Sequence, residues 1–387
     1  MAIFNIVKKL HRIIRGAIGT TIMVAVSPTY LLIHTTWRLI SLPLPWKYFY
    51  KGDDFLWGSY QKVIIFFFEH TTGAEIFISG DIPKEKENVI LICNHQCTMD
   101  WIVTDVLSIR QNMVGNLRYV FKDSIKYMPL YGYVFGVHGG VFVRRDGLYN
   151  ERNMKKVLNG LIQSEVDMYF VIFPEGTRFS EKREKLLQKS QAYAIENDLR
   201  PLNQVLTPRI KAFHCAITSM RKYVDAVYDA TIIYDEKDRP KTASVRPSAP
   251  NMWRFLVSSS PQIYIRFDRI VMDKIPCSSQ KTTMSWLHSR FERKNSLICR
   301  HFSIEELKEE EDCIAGVVTK YRRQIDDGED LRDGTLSTLS ITHTLPSAFF
   351  YITATAALWC HSMGRKIYVG ALLGGSIATV TYAKAFF

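Results

Sequence analysis

The feature that most constrains the fold is a pair of short apolar segments, each running directly into a block of polar residues. Residues 89–93 (VILIC) precede the block NHQCTMD at 94–100, and residues 168–172 (MYFVI) precede the block FPEGTR at 173–178. Short apolar runs of this kind are typical of strands buried in an α/β sheet. Because ligands in open α/β sheets bind beyond the carboxyl ends of the strands, both blocks are expected to contribute to one site.

The chain between residues 71 and 268 has the alternation expected of an α/β fold. Apolar runs at 141–143, 230–234 and 263–267 predict further strands, and the mixture of charged and apolar residues at 183–197 predicts a surface helix. The cations and prolines at 235–250 predict an exposed basic loop. The sequence therefore predicts a single domain over residues 60–300, with a central mixed sheet flanked by helices.

Both ends of the chain are apolar and predict contact with a membrane. At the N-terminus, within residues 1–59, four cations at 8–15 precede an apolar stretch at 17–44, which either crosses a bilayer or turns back at Pro28. At the C-terminus, residues 344–387 hold apolar runs at 345–360 and 367–382, separated by 361–366, which predict a membrane hairpin. Each run is slightly shorter than the roughly 20 residues of a full span, so a re-entrant hairpin fits equally well. A polar, acidic linker or helix at 301–343 joins this hairpin to the domain.

Charge and cysteine content narrow the classes of function. The 387 residues carry a net charge of +12, so the expected partners are anionic: a membrane surface, a phosphorylated small molecule or nucleic acid. Nucleic acid is the weakest of these, because zinc-finger spacing and RNA-binding aromatic motifs are missing from the sequence. A mean hydropathy of -0.06 argues against a transporter with many spans. The seven cysteines are an odd number without paired spacing, which predicts reduced thiols.

The first block supplies a base and a carboxylate that can orient it. His95 and Asp100 are five residues apart, about 140° around a regular helix, so they pair only if the chain turns between them. Thr98 is then expected to be the N-cap of the following helix. A carboxylate bonded to one ring nitrogen fixes the histidine tautomer and leaves the other nitrogen as a base. Three alternatives remain open: a structural histidine, a zinc site at Cys93, His95 and Cys97 that lacks a fourth ligand, and Cys97 as a nucleophile.

The second block has the residue types of an anion site. Gly176 allows the backbone to approach a ligand closely, and Arg178 can hold a phosphate through two donors. Glu175 can accept a bond from a ligand hydroxyl or hold Arg178 in position. The alternative is a simple turn with a surface ion pair. Together the two blocks indicate an enzyme that takes a proton from a hydroxyl next to an anionic group.

The two blocks, in this order, resemble those of the glycerolipid acyltransferases related to 1-acylglycerol-3-phosphate acyltransferase. The resemblance covers residues 60–300 and includes a third block at 139–145, with Arg144 where many members carry an acidic residue. Segments such as 129–132, 190–192 and 206–212 are similar to the epsilon-type branch. The lysocardiolipin-type branch usually lacks the arginine equivalent to Arg178, so its presence here favours a phosphomonoester acceptor.

The resemblance implies a mechanism and a set of site residues. His95, oriented by Asp100, acts as general base and removes the proton of the sn-2 hydroxyl of lysophosphatidic acid, which takes the acyl group directly from the co-substrate acyl-CoA. The residues implied to bind substrate are Asn94, Lys122, Arg145, Glu175, Gly176, Thr177 and Arg178. It implies no metal, no cofactor and no nucleic-acid partner. The expected partners are acyl-CoA, a lysophospholipid acceptor and membrane lipids.

Two rival functions remain open. One is acyl transfer to another acceptor, such as lysocardiolipin, lysophosphatidylglycerol or glycerol 3-phosphate. The other is a non-catalytic lipid-binding membrane protein, which would have no need to keep His95, Asp100 and Glu175 together. The expected location is an integral protein of the endoplasmic reticulum membrane, with the mitochondrial outer membrane or the nuclear envelope as alternatives.

Overall fold

The computed structural model describes residues 2–80, 82–144, 149–237, 245–258, 260–304 and 331–386. The helices within these ranges are α1 (Ala2–Ala25), α2 (Ser27–Ile40), α3 (Trp46–Ile65), α4 (Asp100–Ile109), α5 (Tyr131–Val137), α6 (Glu151–Gln163), α7 (Glu184–Glu196), α8 (Ile210–Ser219), α9 (Met252–Leu256), α10 (Gln280–Phe302), α11 (Leu345–Cys360) and α12 (Ser362–Phe386). The strands are β1 (Glu75–Ser79), β2 (Val89–Cys93), β3 (Leu117–Lys122), β4 (Val141–Val143), β5 (Tyr169–Ile172), β6 (Ala226–Glu236), β7 (Pro261–Val271) and β8 (Thr335–Leu336).

These strands form one mixed sheet in the order β4-β3-β5-β2-β6-β7-β1-β8. The five strands from β4 to β6 are parallel to one another, whereas β7 runs antiparallel to β6 and β8 runs antiparallel to β1. The mixed α/β fold expected from the sequence is thus confirmed. Since β2 and β5 pair directly, with Ile92 opposite Ile172, the two polar blocks that follow them emerge side by side.

The sheet has a hydrophobic core on each face. Along β2, alternate residues enter opposite cores: Val89, Leu91 and Cys93 join the core packed by α2, α3 and α4, while Ile90 and Ile92 join the other. That second core is closed by apolar residues of α6, α8 and α10. Because both faces of β2 are buried, the strand has no polar–apolar alternation, which explains its continuous apolar sequence. By contrast, β7 alternates between buried and half-buried residues over most of its length.

The N-terminal region is helical from Ala2 to Ile40, with Val26 between α1 and α2. Val26 keeps helical torsion angles, and its amide still donates to the Ile22 carbonyl. The chain therefore does not turn back at Pro28. This proline is the second residue of α2, near the start of the helix, where the missing amide hydrogen costs little. By length and composition, Ile3–Ile40 is one helix able to cross a membrane, and half of its most apolar window is buried against the protein.

The apolar residues at 63–68 (VIIFFF) lie in the protein interior. Val63 and Ile65 are fully buried in α3, and Phe68 is also in the core. The N-terminal half of α3 also makes buried polar contacts through Asp53. Its two carboxylate oxygens contact His34 of α2 at 3.0 Å and His138 at 2.6 Å. The N-terminal helices are thus joined to the α/β domain by buried polar contacts as well as by apolar packing.

The two C-terminal apolar runs form helices α11 and α12, joined by His361 alone. Residues 362–366, expected to separate the runs, are instead the first turns of α12. The helices pack on the N-terminal region: Thr355 contacts Thr29 at 2.7 Å, Tyr351 contacts Ser59 at 3.0 Å, and Tyr368 donates to the Ala25 carbonyl at 2.8 Å. Most of the predicted linker, residues 305–330, lies outside the described residues.

Candidate active site

The structure brings His95 and Asp100 together at the end of β2. Residues 94–99 form a non-helical turn, and the His95 Nδ1 lies 2.7 Å from the Asp100 Oδ2. The expectation that the chain turns between them is confirmed. Thr98 is not the N-cap: it is exposed, Met99 occupies the cap position, and α4 begins at Asp100. The Met99 carbonyl accepts from the Ile102 and Val103 amides, so the first turn of α4 closes on Met99 and not on the Thr98 side chain.

Asp100 is fully buried and surrounded by hydrogen-bond donors. Its Oδ2 accepts from the Gln96 amide at 2.6 Å and the Cys97 amide at 3.0 Å, in addition to His95. Its Oδ1 accepts from the Tyr234 hydroxyl at 2.8 Å. A carboxylate with this many donors is held in one orientation, and it holds the histidine ring in turn.

The side of the His95 ring that does not contact Asp100 is partly accessible to solvent. Its ring lies against Phe173, with centroids 4.6 Å apart, and its side chain is 19% exposed. Nδ1 is occupied by Asp100, while Nε2 has no hydrogen-bond partner among the described residues. The arrangement places a nitrogen with a free lone pair at the carboxyl edge of the sheet, where it can accept a proton from a bound hydroxyl.

The main chain of His95 is clamped by the second block. Its amide donates to the Glu175 Oε1 at 2.6 Å, and its carbonyl accepts from the Phe179 amide at 2.7 Å. The other oxygen of Glu175 accepts from the Leu206 amide at 2.8 Å. Glu175 is 2% exposed, and burial raises its pKa to about 8 despite the bonds from the Leu206 and His95 amides. The Glu175 carboxyl therefore links the loops that contain His95, Glu175 and Leu206, and both of its oxygens accept hydrogen bonds from backbone amides.

We expect Glu175→Gln to destabilise the protein, because a glutamine side chain has one acceptor oxygen where two are used. The amide left unpaired should cost about 1–3 kcal/mol in free energy of unfolding. In the folded protein burial raises the pKa of Glu175 above its ordinary value of 4.5, so folding is favoured while this carboxyl is protonated. Its contribution to the free energy of unfolding is therefore complete below about pH 4.5 and is lost as the pH rises towards 8. The difference in free energy of unfolding between the wild type and Glu175→Gln should therefore decrease over that pH range.

The measurement is thermal unfolding of the purified protein at several pH values. Glu196→Gln is a matched control, because it removes a carboxylate that is exposed on α7. Equal stability of the Glu175 and Glu196 variants at pH 5 would contradict the joint role of Glu175.

Two other residues of the blocks are engaged with the backbone. The buried Asn94 side chain makes a reciprocal pair with β6, donating to the Ile232 carbonyl at 2.9 Å and accepting from the Ile232 amide at 2.7 Å. Gly176 has a φ of +67°, and an added Cβ would lie 3.2 Å from the Arg209 side chain. This left-handed conformation explains why a glycine stands between Glu175 and Thr177. The Thr177 side chain is half-buried.

The two predicted cations that the structure describes, Arg178 and Lys122, lie at the carboxyl edge of the sheet. Arg178 is exposed and follows the Glu175 turn, and Lys122 is the exposed last residue of β3. Arg145 lies outside the described residues, directly after the exposed Arg144 that follows β4. Because β3 and β5 are parallel neighbours, Lys122 and Arg178 lie at or just beyond strand ends on the same rim of the sheet.

Sequence reasoning missed three participants in the site. Tyr234 donates to Asp100 from β6, and burial raises its pKa well above the ordinary value, which keeps the phenol a donor. Leu206 supplies an amide to Glu175. Arg246, placed by its sequence in an exposed basic loop, is instead buried near Glu175. The strand at 230–234 and the segment at 206–212 were recognised, but nothing in either pattern indicates a contact over such sequence distances.

The described residues do not support a cysteine-based site. Burial raises the pKa of the Cys93 and Cys97 thiols well above the ordinary value, and Cys97 donates to Asp100. All six described cysteines are free thiols, as expected. Among the described residues, one group has the spacing of metal ligands: Asp53, Asp54 and His138. Their polar atoms contact His34, Arg118 and the Leu117 carbonyl, and this group lies apart from the His95 turn.

Comparison with known proteins agrees with this geometry. The family model described as Acyltransferase matches residues 75–235. The chain is 39% identical over 363 residues to 1-acyl-sn-glycerol-3-phosphate acyltransferase epsilon of Mus musculus, covering 94% of each chain. It is 29% identical over 301 residues to a probable 1-acyl-sn-glycerol-3-phosphate acyltransferase 5 of Arabidopsis thaliana, covering 76% of this chain and 75% of the relative. It is 27% identical over 238 residues to 1-acyl-sn-glycerol-3-phosphate acyltransferase delta of Bos taurus, covering 60% and 59%.

These relatives confirm the resemblance that the two blocks predicted, including its epsilon-type branch. The matched residues span β1 to β6 and contain His95, Asp100 and the whole of the Glu175 turn. The chain therefore belongs to the acyltransferase family that includes the 1-acyl-sn-glycerol-3-phosphate acyltransferases.

Proposed function

We propose that this protein transfers an acyl group from acyl-CoA to the sn-2 hydroxyl of 1-acylglycerol 3-phosphate, which yields phosphatidic acid. The observation that carries the proposal is the His95–Asp100 pair, 2.7 Å apart, with Nε2 open at the carboxyl edge of the sheet. Family membership supports acyl transfer as the reaction, and the printed names of the relatives support this acceptor.

In the proposed mechanism, His95 Nε2 takes the proton of the acceptor hydroxyl as its oxygen attacks the thioester carbonyl of acyl-CoA. The imidazolium that forms is stabilised by the Asp100 carboxylate. Collapse of the tetrahedral intermediate breaks the carbon–sulfur bond, and the CoA thiolate leaves with the proton returned by His95. The acyl group passes directly to the acceptor, so no acyl-enzyme, metal or cofactor is required.

The acceptor phosphate is proposed to bind along the rim of cations. Arg178 offers two donors, Lys122 and Arg145 extend the positive surface, and Thr177 and the Gly176 backbone offer further donors. Glu175 and Asn94, both buried, are proposed to shape this rim through their backbone bonds. In this division of roles, the exposed residues contact substrate and the buried ones position them.

The apolar ends of the chain are proposed to hold the site against a membrane, since both substrates carry acyl chains. Large apolar side chains are exposed on α1, α11 and α12, among them Phe4, Phe350 and Leu373. The cations Lys8 and Lys9 on α1 would favour an anionic lipid surface. A C-terminal membrane hairpin, and a location in the endoplasmic reticulum before the mitochondrial outer membrane or nuclear envelope, complete the proposal.

The test is acyl transfer by purified protein with labelled oleoyl-CoA and four acceptors in parallel: lysophosphatidic acid, lysophosphatidylglycerol, lysocardiolipin and glycerol 3-phosphate. Strong product with lysophosphatidic acid that depends on His95 is the expected result. A preference for another acceptor would keep the chemistry and change the substrate. No product with any acceptor would favour a non-catalytic lipid-binding protein.

Arg178→Ala is expected to weaken acceptor use, because the substitution removes charge-assisted bonds to phosphate. The loss of about 1.5–3 kcal/mol corresponds to a rise of about 10–100-fold in the KM for lysophosphatidic acid. The KM for oleoyl-CoA should change little. Lys182→Ala, which removes an exposed cation four residues away, is the matched control. An unchanged acceptor KM and kcat would reject the phosphate contact.

A further inference from the structure

Arg246 is a buried cation in a segment whose sequence predicts an exposed basic loop. It is 5% exposed, and its Nη1 donates to the Gln204 carbonyl at 2.6 Å and to the Gln204 Oε1 at 3.2 Å. Its guanidinium lies over the Phe179 ring, 4.7 Å from the centroid. Its Nη2 is buried and has no hydrogen-bond partner among the described residues.

The position of Arg246 is set by elements of the active site. Phe179, on which the guanidinium rests, is the residue after Arg178, and its amide donates to the His95 carbonyl at 2.7 Å. Gln204 is held from the other side, because Asn295 of α10 accepts from the Gln204 amide at 2.8 Å. The cation is therefore built into the loops that carry the base and the Glu175 turn.

Nearby carboxylates do not bond to this cation. Glu181, Glu175 and Asp100 lie within electrostatic range of it, but both Glu175 oxygens accept from backbone amides and Asp100 is surrounded by its own donors. Burial lowers the pKa of Arg246 to about 10, so the side chain is still a cation at neutral pH. A buried guanidinium with a free donor is costly unless an anion binds to it.

We propose that Arg246 forms an anion subsite that binds a phosphate group of a substrate through its free Nη2, in addition to the cations of the rim. The proposal rests on the function proposed above, in which both substrates carry phosphate. The phosphate belongs either to the phosphomonoester of the acceptor or to the CoA portion of the donor. Arg246 lies outside residues 75–235, which the family model matches, and is therefore an addition to the two blocks.

The experiment compares the wild type with Arg246→Gln, Arg246→Lys and the control Arg254→Gln. Arg254 is exposed on α9, so its substitution removes the same charge from the surface. KM and kcat are measured for lysophosphatidic acid and oleoyl-CoA, and again with a monoacylglycerol acceptor and with oleoyl-dephospho-CoA. We expect Arg246→Gln to raise the KM of one phosphate-bearing substrate by about 10-fold or more.

The substrate analogues identify the source of the phosphate. If the acceptor phosphate binds, the effect of the substitution on acceptor KM disappears with monoacylglycerol. If the donor's 3′-phosphate binds, the effect on donor KM disappears with oleoyl-dephospho-CoA; an effect kept with that analogue indicates the CoA diphosphate. Arg246→Lys, which keeps the charge with a single ammonium group, should give an intermediate KM, and it replaces the glutamine variant if that variant does not fold.

A structural role predicts a different pattern. If Arg246 only holds Gln204 and Phe179 in place, its substitution lowers the unfolding temperature and reduces kcat for every substrate, with both KM values unchanged, and the proposal is overturned. Thermal protection by glycerol 3-phosphate and by CoA is measured in parallel on the same variants. If the wild type shows no acyl transfer, the proposed function fails, while loss of protection in Arg246→Gln but not Arg254→Gln would still support the subsite, and equal protection would overturn it.

Discussion

Replacing His95 with alanine is expected to abolish measurable turnover, with kcat for acyl transfer reduced by at least about 10²–10⁴-fold. The reason is geometric. Nε2 of His95 is the open nitrogen of a pair whose other nitrogen is held 2.7 Å from a buried carboxylate. Without the imidazole, the acceptor hydroxyl must lose its proton to water before or during attack. The measurement is product formation from labelled oleoyl-CoA and lysophosphatidic acid under saturating conditions.

Folding and membrane association should not change in this variant. The backbone bonds that hold residue 95 run from its amide to Glu175 and from Phe179 to its carbonyl, and alanine keeps both. Unfolding temperature and membrane recovery are therefore the controls. An alanine variant that is folded and fully active would contradict the general-base role of His95. If the alanine variant does not fold, His95→Gln is measured in its place.

Asp100→Asn is expected to have the second largest effect, a fall in kcat of up to about 10⁴-fold. An amide oxygen can still accept from His95 Nδ1, but it carries no charge to stabilise the imidazolium formed during proton transfer. The amide nitrogen would face either Tyr234, which can rotate its hydroxyl to accept, or the turn amides of Gln96 and Cys97, which cannot. In the second orientation the amide nitrogen donates to Nδ1, which holds the histidine in the tautomer with its proton on Nε2, so that Nε2 cannot act as a base.

A matched control for Asp100→Asn is available on the same helix. Asp105 of α4 is also fully buried, burial raises its pKa well above the ordinary value, and its Oδ1 accepts from the Tyr119 hydroxyl at 3.3 Å rather than from His95. Asp105→Asn makes the same change at a buried carboxyl of the same helix that does not bond to His95, and it should leave kcat close to wild type. Equal activity of the two variants would contradict the role of Asp100, as would an Asp100 variant whose kcat falls only because the protein unfolds.

Glu175 and Arg246 both have contacts that their local sequence does not indicate. A glutamate next to a glycine and an arginine resembles a ligand contact, yet its carboxyl accepts from two amides 80 and 31 positions away. Arg246, among prolines and other cations, has the pattern of a surface loop, yet it is buried on Phe179 and Gln204. In both cases the deciding partners lie far away in the sequence, and no local pattern indicates them.

The sequence by itself determined five of the eight described strands and the order of the two blocks, because these depend on local apolar patterns, and it required a turn between His95 and Asp100 for the two to pair. It also determined that both ends are apolar helices. The tertiary structure alone decided that Asp100 takes a donor from Tyr234 in β6, that Asn94 pairs with Ile232, and that α11 and α12 pack on the N-terminal helices. Those outcomes follow from strand order and from the burial of polar groups, which must find partners wherever the fold brings donors and acceptors together.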